Sequence, residues 1–136
     1  MKLGFDIHGV IDTFPVFQEM IKNMVGDNRV EIHVISGLSE KEVHGQIGHL
    51  IPLDQITGYF SIADYLSTKP GVIVEWRNGM PWADEEEWNK AKAAYCVEKG
   101  IDIMFDDSPM YAKYFDDIPT IYCQIHNVNR KRFKTR

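Results

Sequence analysis

Leu3-Gly4-Phe5-Asp6-Ile7-His8-Gly9-Val10-Ile11-Asp12 runs from a short apolar strand into an aspartate, then through a His-Gly step to a second aspartate. An acidic side chain directly beyond a buried strand stands where open α/β sheets place their ligands, outside the carboxyl ends of the strands. Two further apolar runs end in polar groups suited to the same chemistry, Val34-Ile35-Ser36-Gly37 and Ile103-Met104-Phe105-Asp106-Asp107. One such ending carries little information. Three in order along one chain point to a site for phosphate and metal.

Working outward, residues 2–7 read as a first strand, 30–35 as a second, 56–61 as a third, 101–105 as a fourth and 118–125 as a last, edge strand opened by Pro119. Phe14, Phe17, Met20, Ile21 and Met24 recur at helical spacing, with Thr13 as cap and Pro15 in the first turn. Ser39 caps a second helix that ends near Leu50, with Glu40 and Glu42 in its first turn. Asp84 and the Glu85-Glu86-Glu87 run open a third helix that stops at Gly100, and a short helix follows over 109–114. Residues 71–82 read as a β-hairpin turning at Asn78-Gly79, an excursion from the main sheet. Strands alternating with helices imply a three-layer α/β/α sandwich around a mainly parallel, Rossmann-like sheet. Right-handed crossovers bring the ends of the first, second and fourth strands to one edge.

The 136 residues suit one domain over 1–126, followed by a basic tail over 127–136. Hydrophobic residues at 44% and charged residues at 26% are ordinary for a soluble protein. No apolar run is long enough to span a bilayer, and the first strand begins too early to leave room for a signal peptide. Cys96 and Cys123 have no framework or metal-ligand spacing and read as reduced core residues of a cytoplasmic protein. The net charge of -5 hides an asymmetry, because Arg130, Lys131, Arg132, Lys134 and Arg136 crowd the tail. A basic tail can help hold an anionic substrate, nucleic acid included, or be a solvated terminus; the latter is the preferred reading.

A carboxylate such as Asp6 can attack phosphorus to form an acyl-phosphate, and it can also ligate Mg²⁺. Asp106 and Asp107 offer matching carboxylates across the sheet. Ser36 offers a hydroxyl, and Gly37 leads into a helix N-terminus whose free N–H groups favour phosphate. A lysine is needed to complete the electrostatics, and Lys90 and Lys92 both lie in the helix before the acidic pair.

Together these segments resemble the haloacid-dehalogenase-like (HAD-like) hydrolase superfamily. Asp6-Ile7-His8-Gly9 resembles its first motif, Asp-x-Asp-Gly. Ser36-Gly37 resembles the second, Lys92 the third-motif lysine, and Asp106-Asp107 the fourth, a strand ending in a carboxylate pair. The resemblance implies that Asp6 is nucleophile and Mg²⁺ ligand. Position 8 lends its backbone carbonyl to the metal, Ser36 binds the phosphoryl group and Lys92 stabilises it. Asp107 is then the direct metal ligand and Asp106 sits behind it. Lys92 is preferred to Lys90 because Trp88 and Ala91 set the buried stripe of the helix.

The sequence departs from the family where the second aspartate of the first motif is His8. Imidazole is the commonest general acid and base near neutral pH, so His8 can protonate the leaving oxygen. Alternatively the exchange marks a weakened activity. The usual later aspartate of the fourth motif is also missing, with Tyr111 in that region. Asp12 reads as a turn-fixing residue. His33, His44, His49 and His126 read as structural, and packing is preferred over base stacking for Trp76, Trp82 and Trp88.

The expected function is a Mg²⁺-dependent phosphomonoester hydrolase with a minimal cap and an open site, acting on a small phosphorylated substrate such as a nucleotide or sugar phosphate. The alternatives are a non-catalytic phosphate-binding or interaction module, and a nucleic-acid end phosphatase using the basic tail. The oligomeric state is not legible.

Overall fold

The computed structural model describes residues 1–126. The segment 127–136, and with it the expected basic tail and its role toward nucleic acid, lies outside the described residues. In chain order the strands are β1 (Lys2–Phe5), β2 (Glu31–Ser36), β3 (Gly58–Ser61), β4 (Glu75–Arg77), β5 (Met80–Trp82), β6 (Ile103–Asp106) and β7 (Ile121–Gln124). The helices are α1 (Pro15–Met24), α2 (Glu40–Ile47), α3 (Ile62–Thr68) and α4 (Glu85–Lys99).

The main sheet has the order β3-β2-β1-β6-β7, and every pairing in it is parallel. Alternation along the strands feeds two cores on opposite faces. Leu3, Phe5, Ile32 and Val34 pack with Phe17 and Ile21 of α1 and with Val43 and Ile47 of α2. On the other face Ile35 and Met104 pack with Ala93, Tyr95 and Cys96 of α4. Ile62 and Leu66 of α3 close against Ala91 of α4. The result is a three-layer α/β/α sandwich of Rossmann-like kind. The chain steps outward from β1 to β3, then returns to the far side of β1 as β6. That reversal opens a crevice between the carboxyl ends of β1 and β6.

The helix boundaries follow from local chemistry. Ser39 Oγ accepts from the Glu42 N–H and Asp84 Oδ1 accepts from the Glu87 N–H, so both expected caps form. Gly100 ends α4 in the left-handed conformation at φ 67°. Asn78 and Gly79 take φ values of 53° and 75°, the signature of a two-residue turn joining β4 to β5.

Five expectations need correction. Thr13 does not cap α1; its hydroxyl donates to Asp12 Oδ1, and Phe14 occupies the cap position without a side-chain bond. Helix α3 stands where no helix was expected, capped by Ser61 Oγ, which accepts from the Asp64 N–H. Residues 72–74 are not strand, because Val72 and Val74 turn into the cluster formed by α3 and α4. The last strand is only Ile121–Gln124, with Pro119 ahead of it, and the short helix of 109–114 is a 3₁₀ turn over Ala112–Phe115. Smaller differences sit at element ends, such as α2 stopping at Ile47. Among the described residues no helix is long and apolar enough to cross a membrane.

Candidate active site

Asp6 leaves β1 with its N–H donating to the Phe105 carbonyl at 2.9 Å, which ties it to β6. Its side chain makes no capping bond to the turn that follows. That turn is wide. The Ile11 N–H reaches the Asp6 carbonyl at 3.3 Å and the Asp12 N–H reaches the Ile7 carbonyl at 3.1 Å. Gly9 sits at φ 80°, a conformation that a side chain disfavours. Asp12 Oδ1 accepts from the Gly9 N–H at 2.9 Å and from the Thr13 hydroxyl at 2.6 Å, so Asp12 fixes the turn as its position suggests. Its other oxygen lies 3.0 Å from His8 Nδ1.

Lys92 enters from α4. Its ammonium donates to Asp6 Oδ1 at 2.9 Å and to Asp106 Oδ2 at 2.7 Å. Asp106 is fully buried, and its second oxygen accepts from the Ser108 N–H at 3.0 Å. Carboxylate oxygens of Asp6, Asp106 and Asp107 lie within 4.8 Å of one another. Two of these three carboxylates thus share one ammonium. Burial pushes the Asp6 carboxyl up to about 7; Lys92 opposes that rise and Asp106 adds to it. Burial works against the charge on Lys92 too, but Asp6 and Asp106 outweigh it and hold its pKa above the ordinary lysine value. The cluster therefore favours an added positive charge.

Ser36 ends β2 with its hydroxyl accepting from the Leu38 N–H at 3.1 Å. This uses one lone pair, and the hydroxyl retains its own hydrogen for donation. Gly37 is held by the Ala63 N–H of α3, which donates to its carbonyl at 3.3 Å. The Trp88 ring lies against Gly37, and its indole N–H donates to the Tyr111 hydroxyl at 3.2 Å. Asp6, His8, Ser36, Lys92 and Asp107 share a cavity of about 240 Å³ with Trp88 and Tyr111. Met80 and Pro81 of β5 also line it. A hollow of about 710 Å³ along the outer edge of β3 is larger but holds none of these residues. Converging charge, rather than volume, marks the site.

The structure therefore brings together Asp6, His8, Ser36, Gly37, Lys92, Asp106 and Asp107, from segments far apart in sequence. Lys90 points elsewhere and pairs with Glu87 at 3.1 Å. His33 is structural, held between the Tyr95 hydroxyl at 2.8 Å and Glu31 at 3.0 Å. The packing expected of the tryptophans holds for Trp88 but not for Trp76 and Trp82, which are 51% and 55% exposed. Sequence reading missed the His8–Asp12 pair, although the two stand four residues apart. It also missed the part that Met80 and Pro81 play in the cavity wall.

No protein-family model and no curated protein matches this chain. Among solved structures it is similar to an uncharacterized protein from Corynebacterium glutamicum ATCC 13032 Kitasato, seen in a crystal structure at 1.44 Å resolution. The two share 15% identity over 95% of this chain and 87% of that one, with a TM-score of 0.54. At that identity the similarity is one of fold.

Proposed function

We propose that this chain is a Mg²⁺-dependent phosphomonoester hydrolase of the HAD-like kind, working through an aspartyl-phosphate on Asp6. One observation carries the reading: three carboxylates within 4.8 Å of one another, two of them bridged by Lys92, at the carboxyl edge of a parallel sheet beside Ser36.

The donor set fits magnesium, a hard cation that takes oxygen ligands and commonly binds through one or two carboxylates and substrate phosphate. Asp106 spends both oxygens, on Lys92 and on the Ser108 N–H, whereas Asp6 meets Lys92 through Oδ1, so Asp6 and Asp107 would hold the ion; the family resemblance would add the main-chain carbonyl of His8. Bound there, Mg²⁺ supplies positive charge against the phosphoryl oxygens.

The rest falls to the chain's own groups. Ser36 donates its hydroxyl hydrogen to a phosphoryl oxygen, and Lys92 offsets the charge that gathers there. An Asp6 carboxylate oxygen attacks phosphorus. The new O–P bond forms as the ester O–P bond breaks, and His8 gives a proton to the departing oxygen. Water then attacks phosphorus, His8 takes back a proton, and the Asp6–phosphorus bond breaks to release inorganic phosphate. Asp12 holds Nδ1 of His8 and so sets the imidazole's tautomer and orientation. The free thiols of Cys96 and Cys123 support a reducing, cytoplasmic setting.

Phosphate release from small phosphomonoesters tests the reading. Release that needs Mg²⁺, stops with a chelator and is lost in Asp6→Asn and Asp107→Asn is the expected result. Turnover that ignores the metal, or persists in Asp6→Asn, overturns it.

A further inference from the structure

We propose that the groove beside the catalytic cavity, walled by Pro81, Trp82 and Trp88, receives the base of a nucleoside monophosphate. The proposal rests on the phosphomonoesterase reading and names its substrate class.

The first argument is room. The inner cavity, about 240 Å³, falls below the roughly 300–1,000 Å³ of pockets that enclose a whole organic ligand. It suits a phosphoryl group and the few atoms next to it. A second cavity of about 460 Å³ adjoins it, and Pro81 and Trp88 line both. Beyond these two shared walls the second space has the room that the rest of such an ester needs.

The second argument is chemistry. Trp82 borders this groove while 55% exposed, and the Arg77 guanidinium lies over its ring at 5.6 Å from the centroid. A large aromatic side chain held in place at a cavity rim offers a flat face to a flat ligand. Glu85 and Asn89 stand one helical turn apart on α4 and border the same groove. A carboxylate accepts N–H groups, and a carboxamide both donates and accepts. Every nucleobase presents an N–H donor on its pairing edge. A bare sugar phosphate has no ring to set against the indoles.

The third argument is charge. Glu85, in the first turn of α4, borders this groove, so an additional phosphate there meets like charge. That favours a single phosphate over a polyphosphate or a nucleic-acid strand.

The test compares the four common ribonucleoside 5′-monophosphates with ribose 5-phosphate, which keeps the sugar and phosphate but lacks the base. With Mg²⁺ present, kcat/KM for at least one nucleotide should exceed that for ribose 5-phosphate tenfold or more. Trp82→Ala should lower the nucleotide value about tenfold, the scale of one lost base–aromatic stack. Its effect on ribose 5-phosphate should stay within about twofold, since no base is there to lose a stack. Equal handling of both substrates, or an equal fall for both in Trp82→Ala, overturns the groove while leaving the hydrolase reading intact. A second measurement separates the two claims: nucleotide binding to Asp6→Asn protein by calorimetry, with and without Trp82→Ala. If no ester is hydrolysed but Trp82→Ala weakens nucleotide binding about tenfold, the groove stands and the hydrolase reading falls. Binding that does not change with Trp82→Ala overturns the groove.

Discussion

Lys92 and Asp106 form a buried ion pair at 2.7 Å, with side chains 2% and 0% exposed. Removing one partner of such a pair leaves the other charge without compensation, at a cost of about 3–5 kcal/mol. Lys92→Met keeps much of the volume and removes the charge. Urea unfolding in the absence of metal should show a loss of that size, and adding Asp106→Asn should recover part of it. A loss below about 1 kcal/mol, or no recovery in the double variant, contradicts the pairing as the source of stability.

Asp6 carries a pH signature. Its carboxyl rises from an ordinary 3.8 to about 7 in the folded protein, mainly through burial. Between those values the folded state binds more protons than the unfolded state, so this group removes stability as pH rises through the interval. Without divalent cations the parent should lose stability relative to Asp6→Asn between pH 4.5 and 7.5. A proton and a cation compete for the same carboxylate, so Mg²⁺ should raise the melting temperature more at pH 7.5 than at pH 5. Parallel pH profiles for the two proteins, or a larger Mg²⁺ effect at the lower pH, contradict this account.

Gly37 is small for a reason of packing. A Cβ there would stand 2.9 Å from Cζ2 of Trp88, whose ring is anchored to Tyr111. Gly37→Ala should cost about 1–3 kcal/mol through overpacking and should reduce turnover by displacing the cavity wall. Trp88→Phe in the same chain should relieve the clash, giving a favourable coupling in a double-mutant cycle. Simple additivity of the two changes would show that the contact is not limiting.

The sheet was legible because its strands are apolar and each ends in a polar residue or a break. Helix α4 was legible from its Asp84 cap, its acidic first turn and its Gly100 stop. The lysine could be chosen because Trp88 and Ala91 set the buried stripe of the helix, and Lys92 is buried beside Ala91. Helix α3 was missed although Ser61 and Asp64 carry a cap signal, because seven residues are too few to establish periodicity. The apolar run Val72-Ile73-Val74 looked like a strand, but tertiary burial against α3 and α4 decided its conformation. Thr13 failed as a cap because Asp12 recruits its hydroxyl to close the preceding turn. The hairpin was legible from Asn78-Gly79, but where it docks depends on contacts far along the chain, so the roles of Met80 and Pro81 were not.

The central claim is a covalent phosphoryl transfer to one carboxylate, and trapping that adduct tests it most directly. Protein turning over a phosphomonoester with Mg²⁺ is quenched and reduced with borohydride, which converts an aspartyl-phosphate to homoserine, and the peptides are mapped by mass spectrometry. The account predicts homoserine at position 6 and unchanged aspartate at positions 12, 106 and 107. Turnover with Asp6 unmodified, or modification at another of these aspartates, would contradict it.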